Sequence, residues 1–291
     1  MTQEVNHMSK ICIVTDSSIS LDLQQAKKLG IEIAPLSIIV NDKEYQDQVE
    51  MTPERLIELL KEKAVPTTTQ PNLGLLDGMM KEIKSQNFDH IIVFTLSSFL
   101  SGTHQAFRLA ITDNDIENVD IVDSLSIAGP MKDVVLKAAE MAKAGASKEE
   151  ILAMSKTVFD MTTSFLFPNT LDQLKRGGRV SPAVAALSSL LKIKPLLMLK
   201  NGGTTIEKFN TARTETKIFG LMLDEFAKQE IKAGVNKIHV LHCEGLDIAE
   251  SFVTNLKQRF GDIAVEISEL PAVLAAHAGL KSIAVQASLV L

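Results

Sequence analysis

Apolar runs of strand length alternate with stretches of helical period over the first half of the chain. Ile11–Thr15 and His90–Thr95 are apolar and rich in β-branched residues, which indicates buried strands. To residue 163 the predicted order is strand, helix, strand, two helices, strand, helix, strand and helix, with strands at Ile11–Thr15, Ile31–Val40, His90–Thr95 and Val119–Asp123. This alternation predicts an α/β fold with a mostly parallel sheet and helices on both faces.

The pattern changes after about Thr163, where hairpin signals are mixed with helical segments. Asn201-Gly-Gly203 lies between two extended segments and favours a hairpin turn. We therefore expect a disordered leader or expression remnant over residues 1–10, an α/β domain over 11–163 and an α+β domain over 164–291. No long linker separates the two domains, so a ligand is expected in the crevice between them.

Composition narrows the classes of function. The 291 residues are 45% hydrophobic and carry a formal net charge of −6, which argues against nucleic acid as a partner. Cys12 and Cys243 lie in apolar runs and are interpreted as buried thiols, so a reducing cytoplasm is expected. Met1–Lys10 is too polar for a signal peptide, and charges and a proline interrupt Ala183–Leu199, which argues against a membrane span.

A candidate anion site follows the predicted strand His90–Thr95. Ser98, Ser101 and Thr103 lie between this strand and a helical pattern that begins near His104. A strand–turn–helix unit at the carboxyl edge of a parallel sheet exposes backbone N–H groups and the positive end of the helix dipole. The same hydroxyl groups could instead serve as helix caps, and the sequence alone leaves both interpretations open.

Three other segments carry candidate anion-binding side chains. Thr68 lies in a loop of three threonines between Pro66 and Pro71, which is either a polar clamp or a solvated loop. His277 lies among small residues, where it is either a ligand-binding group or a hydrogen-bonded core histidine. Arg176 and Arg179 flank two glycines on a loop that is predicted to be exposed, and they suit phosphate or carboxylate.

Metal and nucleotide sites are not predicted. His239 and His242 lie three apart on a predicted strand, so they point to opposite faces. His239 and Cys243 share a face, but no further ligand is close to them in sequence. The G-x-x-x-x-G-K-[ST] spacing of a phosphate-binding loop is absent. We predict no metal and no cofactor.

Several motifs together resemble those of the DegV family, bacterial fatty-acid-binding proteins that act as substrate carriers for fatty acid kinase. They occur in the family's order over nearly the whole chain. The matching segments are Val14–Ser18, Pro66–Pro71, Ser97–Thr103, Leu174–Ser181, Lys192–Leu197 and His277–Gly279. The resemblance implies a long-chain fatty acid whose tail lies in an apolar tunnel. It implies that the carboxylate is held by Thr68, by Ser101 or its neighbour Ser98, and by His277.

The same resemblance implies a partner. A fatty acid kinase would convert the presented carboxylate to an acyl phosphate, while the carrier itself would do no chemistry. Arg176, Arg179 and Arg213 lie in the segments that the family uses to dock this kinase. The protein would work in the bacterial cytoplasm, without nucleic acid and without a membrane span, although transient lipid exchange is compatible with this function.

An enzyme using the same crevice is the alternative. A serine hydrolase is one version, but the chain lacks G-x-S-x-G and offers no compelling order of serine, histidine and acid. The other version is a subunit that bonds a small carbonyl substrate through His277, by analogy with dihydroxyacetone kinase systems. We favour the carrier.

Overall fold

Over the described part of the chain, the fold is built on three β-sheets with helices packed between and around them. The computed structural model describes residues 9–189, 193–200 and 205–291. The strands are β1 Ile11–Asp16, β2 Ile31–Ala34, β3 Ser37–Val40, β4 Lys43–Gln46, β5 Thr67–Thr69, β6 His90–Thr95, β7 Val119–Asp123, β8 Thr163–Phe167, β9 Lys194–Lys200, β10 Thr205–Ala212, β11 Asn236–Cys243, β12 Ala264–Glu269 and β13 Ser282–Leu289. The α-helices are α1 Leu23–Leu29, α2 Pro53–Lys61, α3 Leu73–Ser85, α4 Thr103–Asp113, α5 Gly129–Lys143, α6 Lys148–Asp160, α7 Asp172–Gly177, α8 Pro182–Ala185, α9 Glu215–Lys228, α10 Leu246–Phe260 and α11 Ala272–Ala278.

The first sheet is entirely parallel, in the order β2-β1-β6-β7, which confirms the predicted α/β arrangement. Side chains of β6 alternate between its faces. Ile92 and Phe94 join a core cluster with residues of α5 and α6, whereas Ile91 and Val93 join another with α3 and α4. Both faces are therefore covered, and this explains why the strand sequence is apolar throughout.

The second sheet is mixed, in the order β10-β9-β8-β13-β11-β12, with β11 and β12 parallel and the other pairs antiparallel. The chain enters this sheet at Thr163, next to the expected boundary between the two domains. The predicted hairpin is present as the antiparallel pair β9–β10. Its predicted turn, Asn201–Gly203, lies outside the described residues.

A small third sheet corrects two predictions. The single strand expected over Ile31–Val40 is divided into β2 and β3, which belong to different sheets. Pro35 lies at the break, and a proline lacks the N–H needed to continue a ladder. The threonine segment expected to be a loop is strand β5, which pairs with β3 through Ile38 and Thr68. The pairing of β5 with β3 therefore fixes the backbone position of Thr68.

Helix α11 joins the two halves of the chain and was not predicted. Its buried Val273 and Ala276 share a core cluster with Leu36, Ile38 and Leu56 of the first half. The helix contacts α2, β3 and β5 on one side and α7 on the other. The sequence did not indicate a helix here, because alanines carry little amphipathic signal.

Two other expectations concern the thiols and the membrane. Cys12 and Cys243 are buried and free, as predicted, and burial raises the pKa of both thiols to about 12. Among the described helices, none is long and apolar enough to cross a membrane.

Candidate functional site

An apolar cavity of about 120 Å³ lies between the carboxyl edge of the first sheet, the second sheet and α11. Leucine, isoleucine, phenylalanine and alanine make up most of its wall, and they come from both halves of the chain. Representative lining residues are Leu96, Leu100, Ile127, Leu166, Leu199 and Leu274. This volume is several times the space that one water molecule needs, and the lining is suited to a hydrocarbon rather than to water.

A hydrogen-bonded pair, Thr68 and His277, forms part of the cavity wall. Thr68 Oγ1 lies 2.7 Å from His277 Nε2. The threonine is positioned by the pairing of β5 with β3, and the histidine by the C-terminal turn of α11. The two residues are separated by 209 positions in the sequence, so only the tertiary fold brings them together. Ser101 lines the same cavity.

Close backbone packing fixes the ring of His277. Gly177, the last residue of α7, lies against the imidazole, and a Cβ atom there would be 2.3 Å from His277 Nδ1. Gly178 then ends the helix with φ of 67°, a conformation that glycine adopts without strain. The prediction of an exposed loop at Arg176–Arg179 is therefore wrong: this segment is the end of α7, and it packs on the histidine.

Arg179 supplies a positive charge beside this pair. Its Nε donates a hydrogen bond to the carbonyl oxygen of Leu100 at 3.1 Å, and it also donates to the carbonyl of Gly177. Burial of His277, and secondly the charge of Arg179, lower the pKa of the imidazole to about 4. The histidine is therefore neutral at neutral pH, and Arg179 is the charged side chain among the described lining residues. From the sequence, Arg179 was expected on an exposed loop, suited to an anion or to kinase docking, and its position in this cavity was not predicted.

The hydroxyl groups of the β6–α4 turn do not all face the cavity. Ser101 Oγ lies 2.8 Å from Thr103 Oγ1 and also accepts a hydrogen bond from the Thr103 backbone N–H. Ser98, by contrast, is exposed and is not among the lining residues, and its N–H donates to Asp123. The structure thus brings Thr68, Ser101 and His277 to one cavity and leaves Ser98 outside it.

The turn that carries Ser101 is tied to the threonine strand. Gly102 packs so closely on Gln70 that a Cβ atom would lie 2.2 Å from Gln70 Oε1. Gln70 directly follows β5, so this contact couples the Ser-Gly-Thr turn to the segment that carries Thr68. The close contacts of Gly177 with His277 and of Gly102 with Gln70 therefore give a steric reason for two glycines of the motifs.

Two buried carboxylates lie behind the cavity wall. Asp16 accepts a hydrogen bond from the N–H of Leu96 at 2.7 Å, at the end of β6. Asp47 accepts a hydrogen bond from Ser17 Oγ at 2.6 Å, and the backbone of Val273, at the start of α11, lies beside this carboxylate. Burial raises the pKa of Asp16 to about 6 and that of Asp47 to about 7. Asp16 therefore holds the backbone at the end of β6, and Asp47 lies beside the start of α11, so both acids border segments that line the cavity.

The remaining arginines lie away from the cavity. Arg176 is exposed and borders a separate groove together with Lys63. Arg213 is exposed between β10 and α9. Neither is among the residues that line the cavity beside His277. Their positions are compatible with a surface role and not with direct contact to the cavity.

The geometry suits binding better than nucleophilic catalysis. Ser101 Oγ is hydrogen-bonded to Thr103, whereas His277 is hydrogen-bonded to Thr68, so the serine and the histidine are not paired with each other. A nucleophile–base pair is normally oriented by a third group. Over the described ranges, no carboxylate lies within hydrogen-bond or ion-pair distance of His277, and a pKa of about 4 makes this imidazole a weak base. The arrangement offers hydrogen bonds and one positive charge to an anion.

A second buried histidine has acidic neighbours that the sequence did not indicate. His239 Nε2 lies 3.1 Å from Asp133, and His239 Nδ1 lies 3.8 Å from Glu266. Three groups at this spacing could in principle hold a cation. However, Lys237 bridges both carboxylates at 3.0 and 2.8 Å, and Lys132 pairs with Glu266. The acidic charge is thus compensated by two ammonium groups, so the cluster is a salt-bridge network.

The fold and the cavity define a class: an α/β protein of two main sheets with an apolar cavity that carries a hydroxyl–imidazole–guanidinium cluster. A family model described as "Uncharacterised protein, DegV family" matches residues 10–289. The chain belongs to the DegV family.

Relatives and solved structures agree with this membership. A DegV domain-containing protein of Halalkalibacterium halodurans is 34% identical over 279 residues, covering 95% of this chain and 97% of the relative. A Thermus thermophilus DegV-family structure, described by its fatty acid binding, superposes with a TM-score of 0.85 at 29% identity and covers 97% of this chain and 100% of its own. DegV of Bacillus subtilis, described as a fatty acid binding protein, gives a TM-score of 0.81 at 27% identity, with coverage of 97% and 100%.

Proposed function

We propose that this protein binds a long-chain fatty acid and acts as a carrier rather than an enzyme. The observation that carries the proposal is the cluster of Thr68, His277 and Arg179 in the wall of an otherwise apolar cavity. A fatty acid matches this arrangement, since it combines one polar carboxylate with a long apolar tail. The fatty-acid binding described for the Thermus thermophilus and Bacillus subtilis relatives supports the same ligand class.

The carboxylate would be held by the hydroxyl groups of Thr68 and Ser101, by His277 and by the charge of Arg179. Hydrogen bonds in which one partner is charged are stronger than neutral ones, and the apolar surroundings strengthen them further. The tail would extend into the apolar part of the cavity, where burial contributes roughly 0.8 kcal/mol per methylene group. Ser98, which is exposed, takes no part in this arrangement.

Presentation to a kinase is the second part of the proposal. The resemblance to DegV-family carriers suggests a cytoplasmic fatty acid kinase as partner, and the exposed Arg176 and Arg213 suit contact with an acidic protein surface. Charge reversal at either arginine should slow kinase-dependent acyl phosphate formation while fatty acid affinity stays unchanged. If acyl phosphate forms at the normal rate in both variants, these arginines are not the docking residues.

The ligand assignment is tested directly. The purified protein is extracted with organic solvent for mass spectrometry, and the delipidated protein is titrated with palmitate and oleate. We expect a bound fatty acid or, after delipidation, saturable binding that His277→Ala and Thr68→Val weaken. Gly220→Ala, in a helix where the added Cβ meets no atom within 4 Å, serves as the control. No lipid in the extract, together with no binding of either acid, would refute the carrier assignment.

A further inference from the structure

A buried polar pair interrupts the apolar wall of the cavity at a distance from the carboxylate cluster. Ser164 of β8 and Gln286 of β13 are cross-strand partners, and both line the cavity. They are 8% and 1% exposed. Ala284 and Gln286 line the same wall, and β13 begins at Ser282, just after α11. Gln286 therefore lies about 13 Å along the strand from Ser282, away from the end of α11 that carries His277.

The backbone fixes which way the amide of Gln286 points. Its Oε1 accepts a hydrogen bond from the N–H of Gly129 at 3.1 Å, and its Nε2 donates to the carbonyl of Ile127 at 2.9 Å. A flipped amide would place a donor against a donor and an acceptor against an acceptor, so the orientation is determined. The second Nε2 proton is donated to Ser164 Oγ at 2.8 Å. Both amide protons are therefore used.

This orientation leaves the hydroxyl proton of Ser164 available. Ser164 Oγ must act as acceptor towards Gln286, and no described residue accepts the serine proton. A hydroxyl group buried without an acceptor costs about 1–3 kcal/mol. A saturated tail lying over Ser164 would exclude water from this proton without supplying a hydrogen-bond acceptor. A ligand oxygen at this position would accept it.

A hydroxyl group without any partner lies in a neighbouring cavity of about 630 Å³, which shares Ser164 and Leu199 with the first. Ser126 lines this second cavity and is 2% exposed, and its Oγ has no partner among the described residues. Ser126 directly precedes Ile127, whose carbonyl accepts the hydrogen bond from Gln286 Nε2. The wall shared by the two cavities thus offers one free donor, the Ser164 proton, and the second cavity offers one group able to donate or accept, the Ser126 hydroxyl.

We propose that Ser164 and Ser126 form an oxygen-recognising subsite for the acyl tail, so that this protein prefers fatty acids carrying a mid-chain hydroxyl or keto oxygen. A tail hydroxyl accepts the Ser164 proton and donates its own to Ser126 Oγ. The proposal rests on the proposed fatty-acid binding, since the carboxylate cluster sets the depth at which the tail oxygen meets Ser164.

The test compares stearate with a series of hydroxystearates whose hydroxyl moves along the middle of the chain, each titrated into the delipidated protein. We expect one or two positional isomers to bind about tenfold more tightly than stearate, because the two additional hydrogen bonds each contribute a few-fold. Ser164→Ala should reduce that ratio to about one, and Ser126→Ala should reduce it in part. Affinity for stearate itself should be unchanged or improved in Ser164→Ala.

The matched control is Ser155→Ala. Ser155 is 1% exposed and lines the second cavity, but its hydroxyl donates to the carbonyl of Leu152 within the helix. Its replacement should leave the hydroxystearate preference intact. Equal binding of stearate and every isomer by the wild type, or a preference that survives Ser164→Ala, would overturn the subsite. Failure of the wild type to bind any of these acids would instead refute the proposed function.

Discussion

Replacing Gly177 by alanine should weaken carboxylate binding by a purely steric effect on His277. The added Cβ atom would lie 2.3 Å from His277 Nδ1, whereas ordinary van der Waals contact begins at 3.4 Å. The ring must therefore move by about 1 Å. Thr68 Oγ1, 2.7 Å from Nε2 on the far side of the ring, loses its hydrogen-bond geometry when the ring moves.

The expected loss follows from the interaction that is disturbed. A hydrogen bond to a charged group is worth about 1.5–3 kcal/mol, so fatty acid affinity should fall about 10- to 150-fold. The loss of stability should be small, because the preference of a helix for alanine over glycine, up to about 1 kcal/mol, offsets part of the cost of moving the ring. Titration of delipidated protein with a fluorescent fatty acid measures the affinity, and urea denaturation measures the stability.

A double-mutant cycle separates this mechanism from a general disturbance. If Gly177→Ala acts through the histidine, it should have little further effect in a His277→Ala background. Gly220→Ala, also in a helix but with open space around the added Cβ, should bind fatty acid normally. Additive losses in the cycle, or wild-type affinity in Gly177→Ala, would refute the claim that this close contact positions the imidazole.

Three further predictions concern charge, protonation and the glycine of the Ser-Gly-Thr turn. Arg179→Leu should reduce affinity for palmitate much more than affinity for hexadecanol in parallel titrations, because only the acid carries the charge that Arg179 attracts, and equal losses would contradict this role. The pKa of Asp47 is raised to about 7 by burial, so its contribution to stability is present at low pH and is lost as pH rises through about 7. Between about pH 5 and about pH 8, the free energy of unfolding measured with urea should therefore fall less for Asp47→Asn than for the wild type. Parallel pH dependences of the two proteins would contradict the raised pKa. Gly102→Ala should displace Gln70 and lower fatty acid affinity only a few-fold, since the atom it meets is at the end of a flexible side chain; a loss as large as that of Gly177→Ala would be inconsistent with this explanation.

Local pattern was enough to predict the parallel sheet. The β-branched, apolar composition of β6 and its change to a helical period at α4 gave both elements, because a strand buried on two faces has a distinctive sequence. The same reasoning failed over Ile31–Val40. A single proline marked the break there, and only the tertiary fold shows that β2 and β3 belong to different sheets.

The candidate site was predictable only in part. The residues Thr68, Ser101 and His277 came from the family resemblance, and their convergence on one cavity depends on contacts across 209 residues that no spacing rule reveals. The position of Arg179 was missed because its loop was expected to be exposed, whereas Gly177 ends a helix that packs on the imidazole. Ser164 carried no signal at all, since a single serine in an apolar strand is unremarkable until its partners are known.

The central claim is that an ionised carboxylate binds at Thr68, His277 and Arg179, with an alkyl chain in the apolar cavity. The most direct measurement is a titration of delipidated protein, labelled in its histidine rings, with palmitate and separately with hexadecanol, followed by NMR. We predict saturable palmitate binding, a large shift of the His277 ring resonances with little change at His90, and much weaker binding of hexadecanol. Equal affinity for the acid and the alcohol, or palmitate binding that leaves His277 unshifted, would contradict the account.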